Sequence, residues 1–195
     1  MDWAVSAMKV LVTGGAGYVG SHGCKALAAA GHDVVVIDTL ERGYKEALRW
    51  GTFEECDIAD RKRLDAVLAK HKPQGLLHYA AYAYVGESMS TPLTYYRNNV
   101  EGTRILLEAS AAHGVKHVVF SSSCAVYGVP SKTPMTEDLP HAPVNPYGET
   151  KSVCERMIAW AAQAHGMNWM ALRYFNASGA DPDGAPALRS MQDTL

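Results

Sequence analysis

The chain has few cysteines, little net charge and no long apolar run. Its 195 residues include four cysteines and carry a formal net charge of −2. No apolar stretch approaches the roughly 20 residues that span a bilayer, and residues 1–7 lack the basic start and apolar centre of a signal peptide. The charge gives no electrostatic reason to expect nucleic acid or an anionic membrane as a partner. We therefore expect a cytoplasmic protein that binds neither.

The sequence also lacks a metal-ligand pattern. The cysteines stand at 24, 56, 124 and 154 and form no Cys-x-x-Cys pair, which predicts free thiols in a reducing compartment. His113 and His117 are four residues apart, but Gly114 stands between them, at a place where a helix should end. We therefore predict a loop at this position and no metal site.

Nearly continuous apolar runs alternate with helical patterns along most of the chain. Such runs are typical of parallel strands that are covered on both faces. The predicted strands are 9–13, 33–38, 52–56, 75–80, 116–122 and 169–175, and the predicted helices are 18–30, 61–70, 92–112 and 146–165. This order predicts an α/β fold with a doubly wound parallel sheet of the Rossmann type.

Glycines follow the first predicted strand at the point where a helix should begin. Their spacing can be written Gly15-x-Gly17-x-x-Gly20 or Gly14-x-x-Gly17-x-x-Gly20. Such a turn lets the backbone approach a pyrophosphate and directs a helix N-terminus at its charge. Asp38 ends the second predicted strand, where a carboxylate accepts hydrogen bonds from the adenosine ribose and repels a 2′-phosphate. The pattern predicts an NAD site.

The chain divides into three parts on this interpretation. Residues 1–7 are expected to be an N-terminal extension, residues 8–183 the NAD-binding Rossmann domain and residues 184–195 a short atypical tail with a possible helix at 187–194. Within the domain, residues 128–145 form a long polar segment that contains prolines. Loops of this length are often functional lids, and some are surface connections.

Three further features carry possible chemistry. Tyr147 and Lys151 are four residues apart and share one face of a predicted helix. An ammonium group and the positive nicotinamide would lower the phenol pKa, whereas the plain alternative is packing of the ring on the lysine stem. Ser123 directly follows the fifth predicted strand and could relay a proton, while the two preceding serines are expected to cap the strand. One asparagine of the pair Asn98 and Asn99 faces either the cofactor or solvent.

Together these motifs resemble the extended short-chain dehydrogenase/reductase family. Within that family they resemble the NAD-dependent epimerases and dehydratases. The resemblance runs from about Met8 to Asp183, and its motifs occur in the family's order. The segments that carry it are 13–22, 80–88, 95–103, 120–128, 146–151 and 172–179. Dehydratases of the family have an acidic pair where Cys124 and Ala125 stand, so the resemblance is stronger to the epimerases of UDP-sugars.

The resemblance implies a role for each site residue. Tyr147 would be the base, Lys151 its electrostatic partner and Ser123 a hydrogen-bonding relay, and all three would also contact NAD. Ser123, Tyr147 and Asn176 would contact the substrate, with Asn176 at the UDP phosphates. The other implied NAD contacts are Gly14, Gly17, Tyr18, Val19, Gly20, Asp38, Thr39, Leu40, Arg42, Gly43, Asp57, Ile58, Tyr79, Ala80, Ala81, Ala83, Asn98 and Phe175. The family often has a lysine where Ala83 stands.

The implied activity is interconversion of UDP-galactose and UDP-glucose by transient hydride transfer to tightly bound NAD in a homodimer. The family usually continues into a C-terminal substrate lobe, most of which we expect to be missing from these 195 residues. Three alternatives therefore stay open. They are an NAD-binding remnant without activity, an NAD-dependent dehydrogenase or ketoreductase, and an epimerase of another nucleotide sugar.

Overall fold

Six parallel strands form one sheet in the computed structural model, which describes residues 6–181. The strands are β1 (Lys9–Thr13), β2 (Asp33–Asp38), β3 (Thr52–Glu55), β4 (Gly75–His78), β5 (His117–Ser123) and β6 (Asn168–Tyr174). The helices are α1 (Tyr18–Ala29), α2 (Arg61–His71), α3 (Val85–Ser90), α4 (Pro92–Tyr95), α5 (Gly102–Ala112) and α6 (Pro146–His165). A π-helical turn, Tyr96–Glu101, joins α4 to α5, and short 3₁₀ helices lie at Lys45–Ala47 and Cys124–Tyr127.

The strand order is β3-β2-β1-β4-β5-β6, and every neighbouring pair is parallel. The order reverses between β1 and β4, so the chain leaves these two neighbouring strands toward opposite halves of the sheet. In open parallel sheets, ligands bind in the crevice at this reversal, outside the carboxyl ends of the strands. The predicted doubly wound α/β fold is confirmed.

Helices cover both faces of the sheet. On one face, α2, α5 and α6 pack on the larger hydrophobic cluster, in which Leu64, Leu106 and Ile158 are fully buried. On the other face, α1 contributes Cys24 to a smaller cluster with the valines of β1 and β2. The nearly continuous apolar runs of the strands are therefore covered on both sides, as their composition predicts.

The structure corrects several predicted boundaries. The predicted helix 92–112 is divided into α4, the π-helical turn and α5, and the six-residue helix α3 was not predicted. The predicted strand 75–80 ends at His78 because Ala80 N turns to the side-chain oxygen of Thr13 instead of a strand carbonyl (3.2 Å). The predicted strands 52–56, 116–122 and 169–175 are each shifted or shortened by one residue.

The remaining expectations concern sites and segments outside the sheet. Within residues 6–181, no helix could cross a membrane, and no group of three or more His, Cys, Asp or Glu residues could hold a metal ion. All four cysteines are free thiols, as predicted. His113 directly follows α5 as its C-cap, and His117 begins β5. The possible helix at 187–194 lies outside the described residues, as do residues 1–5.

Candidate active site

The glycine loop between β1 and α1 is closed by the protein's own backbone at two positions. Gly14 has a φ of +70°, and a Cβ atom there would lie 2.6 Å from the amide nitrogen of Ala80. A Cβ atom on Gly20 would lie 2.2 Å from the carbonyl oxygen of Gly14. These two glycines are therefore required for the turn to form and for β1 to approach the segment after β4.

Gly17 is different, because the protein's own packing does not require a glycine there. Its φ of −83° and ψ of 172° are accessible to any residue, and an added Cβ would meet only the carbonyl oxygen of Gly14, at 3.3 Å. Gly17 immediately precedes α1, whose first-turn amides, including those of Tyr18 and Val19, have no helical acceptor. The missing side chain leaves room for an anion at these amides, which fits a pyrophosphate.

Asp38 organises the loop beside this position. Its Oδ2 accepts a hydrogen bond from Ala16 N (3.0 Å), and its Oδ1 accepts one from Leu40 N (2.9 Å). Leu40 has a left-handed φ of 60°, and a Cβ on Gly43 would lie 2.6 Å from the Cβ of Ala16. The carboxylate thus ties the glycine loop to the turn after β2, and each oxygen keeps acceptor capacity for a ribose hydroxyl.

Ser123 at the end of β5 lies beside Tyr147 in the first turn of α6. Ser123 Oγ accepts from Ala125 N (3.1 Å), which leaves its own hydrogen free to donate. The hydrogen bond from Ser123 lowers the pKa of Tyr147, but burial of the ring has the larger effect and raises that pKa above its ordinary value. Asn145 caps α6 by accepting from Gly148 N (2.8 Å), and this fixes the turn that carries Tyr147.

Lys151 lies one turn further along α6 and is only 3% exposed. Its Nζ donates to Ser121 O (2.6 Å) and lies 4.8 Å from the ring centroid of Phe120 and 5.8 Å from that of Tyr147. Burial lowers the pKa of Lys151 to about 8. Because an ammonium has three donors, two remain for hydroxyls of a ligand such as the nicotinamide ribose.

The expected pairing of Lys151 with the phenol is met only in part. The spacing brings the two side chains to the same face, as predicted, but the ammonium donates to the carbonyl of Ser121, and burial has the largest effect on the pKa of Tyr147. The sequence gives the separation of the two side chains along the helix. It does not give the burial that dominates the pKa of the phenol.

A third residue of α6 belongs to the same arrangement and was missed by sequence reasoning. Glu155 is buried and accepts a hydrogen bond from Ser122 Oγ, and its Oε2 accepts from Arg173 Nη2 of β6 (2.7 Å). Ser122, expected only to cap the strand, thus binds α6. Tyr147, Lys151 and Glu155 are spaced four residues apart and each meets one serine of β5, a spacing that could have revealed Glu155.

Residues 10–193 match the family model described as the NAD dependent epimerase/dehydratase family. The chain belongs to this family.

One curated relative is the UDP-glucose 4-epimerase of Rhizobium meliloti. This chain is 51% identical to it over 175 residues, which cover 90% of this chain and 53% of the relative. It is similar to the crystal structure of UDP-glucose 4-epimerase from Brucella ovis in complex with NAD, at 53% identity and a TM-score of 0.89 over 91% of this chain and 55% of the other. The Thermotoga maritima enzyme with UDP-glucose gives 37% identity and a TM-score of 0.85, over 91% of this chain and 59% of the other. The chain spans about half the length of the curated relatives it matches.

Of the residues expected on the nicotinamide side, some face the protein interior and others face the crevice. The side chain of Tyr79 packs toward Gly23 of α1 and the smaller hydrophobic cluster, which leaves its backbone for the crevice. Asn99 is buried, and its amide binds Tyr82 N (2.8 Å) and Tyr82 O (3.0 Å). Asn98 donates to Asn99 Oδ1 (3.0 Å). The asparagine pair therefore holds the segment after β4, and only Asn98 remains half-buried at the crevice.

The remaining expected contact residues follow the ends of β2, β3, β4 and β6. Ile58 is buried in the core against Gly102, while Asp57 is exposed and accepts from Ala59 N (2.8 Å). Phe175 and Asn176 are exposed directly after β6. The half-buried residues Ala80, Ala81 and Ala83 follow β4, and Thr39 and Arg42 follow β2. These residues follow the C-terminal ends of β2, β3, β4 and β6, and their contacts with NAD or the substrate stay predictions.

Proposed function

We propose that this chain forms the NAD-binding and catalytic half of a UDP-glucose 4-epimerase. The observation that carries the proposal is the placement of Ser123 and Tyr147 beside the buried ammonium of Lys151, at the edge of the sheet where the glycine loop lies. The relatives named UDP-glucose 4-epimerase, and solved ones in complex with NAD, support it.

NAD fits the residues that are present. Gly17 leaves room at the start of α1, Asp38 keeps acceptor capacity for a ribose, and Lys151 keeps two donors. The remaining NAD contacts would come from the residues that the family resemblance implies, most of which follow the ends of the strands. When bound, NAD supplies the hydride acceptor and donor, while the protein supplies orientation and charge.

The side chains divide the proton chemistry between them. Tyr147 as phenolate takes the proton of the sugar 4-hydroxyl, and Ser123 stabilises the phenolate by donating to it. Because burial raises the pKa of Tyr147, the phenolate needs positive charge nearby, which Lys151 and an oxidised nicotinamide supply. Asn176 would contact the UDP phosphates. The 4-keto sugar would then be reduced on its opposite face, which inverts the stereochemistry without net redox change.

We also propose a homodimer in a reducing compartment such as the cytoplasm. Leu93 and Trp160 are 81% and 71% exposed, and a partner subunit would bury such apolar side chains if they belong to one contiguous patch. A shallow groove between α5 and α6 is lined by Arg104, Leu107, Glu108, Met157, Ala161 and His165. Sedimentation of the wild type against Trp160→Glu tests the dimer, since a monomer in both rejects it.

The activity is tested by incubating the purified chain with UDP-galactose and measuring UDP-glucose. Tyr147→Phe should abolish conversion and keep NAD bound, whereas Tyr96→Phe, which changes an exposed phenol, should convert at the wild-type rate. Bound NAD without conversion would favour the NAD-binding remnant. Accumulation of NADH with an alcohol substrate would favour a dehydrogenase or ketoreductase, and conversion of a different UDP-sugar would favour another nucleotide-sugar epimerase.

A further inference from the structure

Two segments stand on either side of the glycine loop. In the sheet, β1 lies between β2 and β4, so the turn that follows β2 and the segment that follows β4 flank the loop that follows β1. The first of these turns carries Asp38, expected at the adenosine ribose. The second begins with Tyr79 and Ala80, expected on the nicotinamide side. Any contact between these flanking segments therefore spans the edge where the dinucleotide is proposed to bind.

Three side-chain contacts make this connection. The guanidinium of Arg42 donates to both carboxylate oxygens of Glu87, at 2.8 and 2.7 Å. The same guanidinium lies 3.9 Å from the ring centroid of Tyr82, and the Tyr82 hydroxyl contacts the carboxylate of Glu41 at 2.9 and 3.0 Å. We call these four residues the strap. A bidentate pair combined with a stacked ring is a geometry that arginine provides and lysine does not.

One side of the strap is held by buried residues, and the other lies in an exposed turn whose backbone Asp38 ties to the glycine loop. The backbone of Tyr82 is held by the buried amide of Asn99, and Glu87 accepts from the hydroxyl of the fully buried Tyr95 (2.7 Å). Arg42 and Glu41 lie in an exposed turn with no helix or strand of its own. The pairing with Arg42 and the hydrogen bond from Tyr95 lower the pKa of Glu87 to about 2, so the strap is charged at neutral pH.

We propose that the strap retains the bound dinucleotide by holding the turn after β2 against the segment after β4. This inference rests on the proposed binding of NAD, and it gives Arg42 a role that acts through Glu87. An enzyme that returns hydride to the same sugar needs a cofactor that stays in place between the two transfers. Release would require the exposed turn to move away, and the strap opposes that movement at its fixed end.

The test measures release of NADH from the full chain by the fall in its fluorescence after dilution into excess NAD. Arg42→Ala and Glu87→Ala should each release NADH about tenfold faster than the wild type. Arg42→Lys should be intermediate. Raising the salt concentration should speed release from the wild type and have little effect on Arg42→Ala.

The control removes an ion pair at the opposite end of the same strands. Lys9 at the start of β1 pairs with Asp33 at the start of β2 (2.9 Å), so Lys9→Ala should leave the release rate unchanged. The double variant Arg42→Ala/Glu87→Ala should be no faster than either single variant if the two residues act as one unit. Additive effects would instead mean that Arg42 contacts the nucleotide directly, which overturns the strap.

The outcomes separate the two proposals. If the wild type binds NADH and Arg42→Ala releases it at the wild-type rate or more slowly, the strap is overturned while NAD binding stands. If the wild type binds no NADH, NAD binding is overturned and the strap with it. Circular dichroism of each variant shows whether faster release comes with loss of the fold, and a variant that releases faster while folded supports the strap.

Discussion

One added methyl group should separate folding from cofactor binding in the glycine loop. In Gly20→Ala the new Cβ would lie 2.2 Å from the carbonyl oxygen of Gly14 and 2.9 Å from the Cα of Gly15. These contacts are backbone atoms, which cannot rotate away, so the loop and α1 must shift. Forcing atoms into a packed position typically costs about 1–3 kcal/mol. We expect the free energy of unfolding to fall by about 2 kcal/mol.

Gly17→Ala should behave in the opposite way. Its backbone angles are open to alanine, and the one close contact, 3.3 Å to Gly14 O, requires a shift of a few tenths of an ångström. Alanine also reduces the freedom of the unfolded chain, which stabilises by about 0.4–1 kcal/mol. The free energy of unfolding should therefore stay within about 1 kcal/mol of the wild type. The methyl group fills the space proposed for the pyrophosphate, so NAD affinity should fall at least about tenfold, or about 1.4 kcal/mol.

Urea denaturation followed by circular dichroism gives the stability, and isothermal titration with NAD gives the affinity. Gly75→Ala is the matched control, because its Cβ would make only ordinary contacts of 3.8 Å or more at the start of β4. It should bind NAD like the wild type. Wild-type affinity in Gly17→Ala would refute the assignment of the pyrophosphate to this loop. Wild-type stability in Gly20→Ala would refute the closed turn.

The remaining predictions concern ionisable groups. In ultraviolet titration, Tyr147→Phe should remove a phenol that ionises at higher pH than free tyrosine, because burial raises its pKa; loss of an ordinary phenol would contradict this. Hydrogen bonds from Lys70 and His71 lower the pKa of Glu54 from 4.5 to about 2, so its contribution is present above pH 4.5 and is lost as pH falls toward 2. The stability difference between the wild type and Glu54→Gln, measured by urea denaturation, should therefore shrink over that range, and a constant difference would refute the coupling. Arg173→Met leaves the buried Glu155 without its guanidinium and should cost about 3 kcal/mol in urea denaturation, whereas a change below about 1 kcal/mol would show that Glu155 is satisfied without it.

The sequence predicts the sheet well because its strands are short apolar runs that end at glycines or polar residues. The predicted bounds of β1 and β2 agree with the structure at both ends. The π-helical turn could not be predicted in this way. Its local sequence is compatible with an ordinary helix, and Asn99 within it is engaged by the backbone of Tyr82, which belongs to a distant segment. Tertiary contacts of this kind have no periodic signal.

The candidate site shows the same division. The four-residue spacing of Tyr147 and Lys151 places both on one helical face from the sequence alone. The partner of each side chain depends on how α6 is aligned with β5, and no local pattern records that alignment. Ser122 was therefore interpreted as a cap, although it binds Glu155. The direction of the Tyr147 pKa was also out of reach, because it depends on burial by the assembled fold.

The proposed UDP-phosphate contact depends on a different part of the molecule from the proposed NAD contacts. Gly17 precedes α1, Asp38 ends β2 and Lys151 lies on α6, and contacts within the fold fix their positions. Asn176 follows β6 and is exposed, so its contact with the UDP phosphates is expected to gain less from the fixed part of the site. NAD binding should consequently persist under changes to Asn176 that weaken binding of the UDP-sugar. The proposed catalytic pair belongs to the first group, because Tyr147 and Ser123 are positioned by α6 and β5.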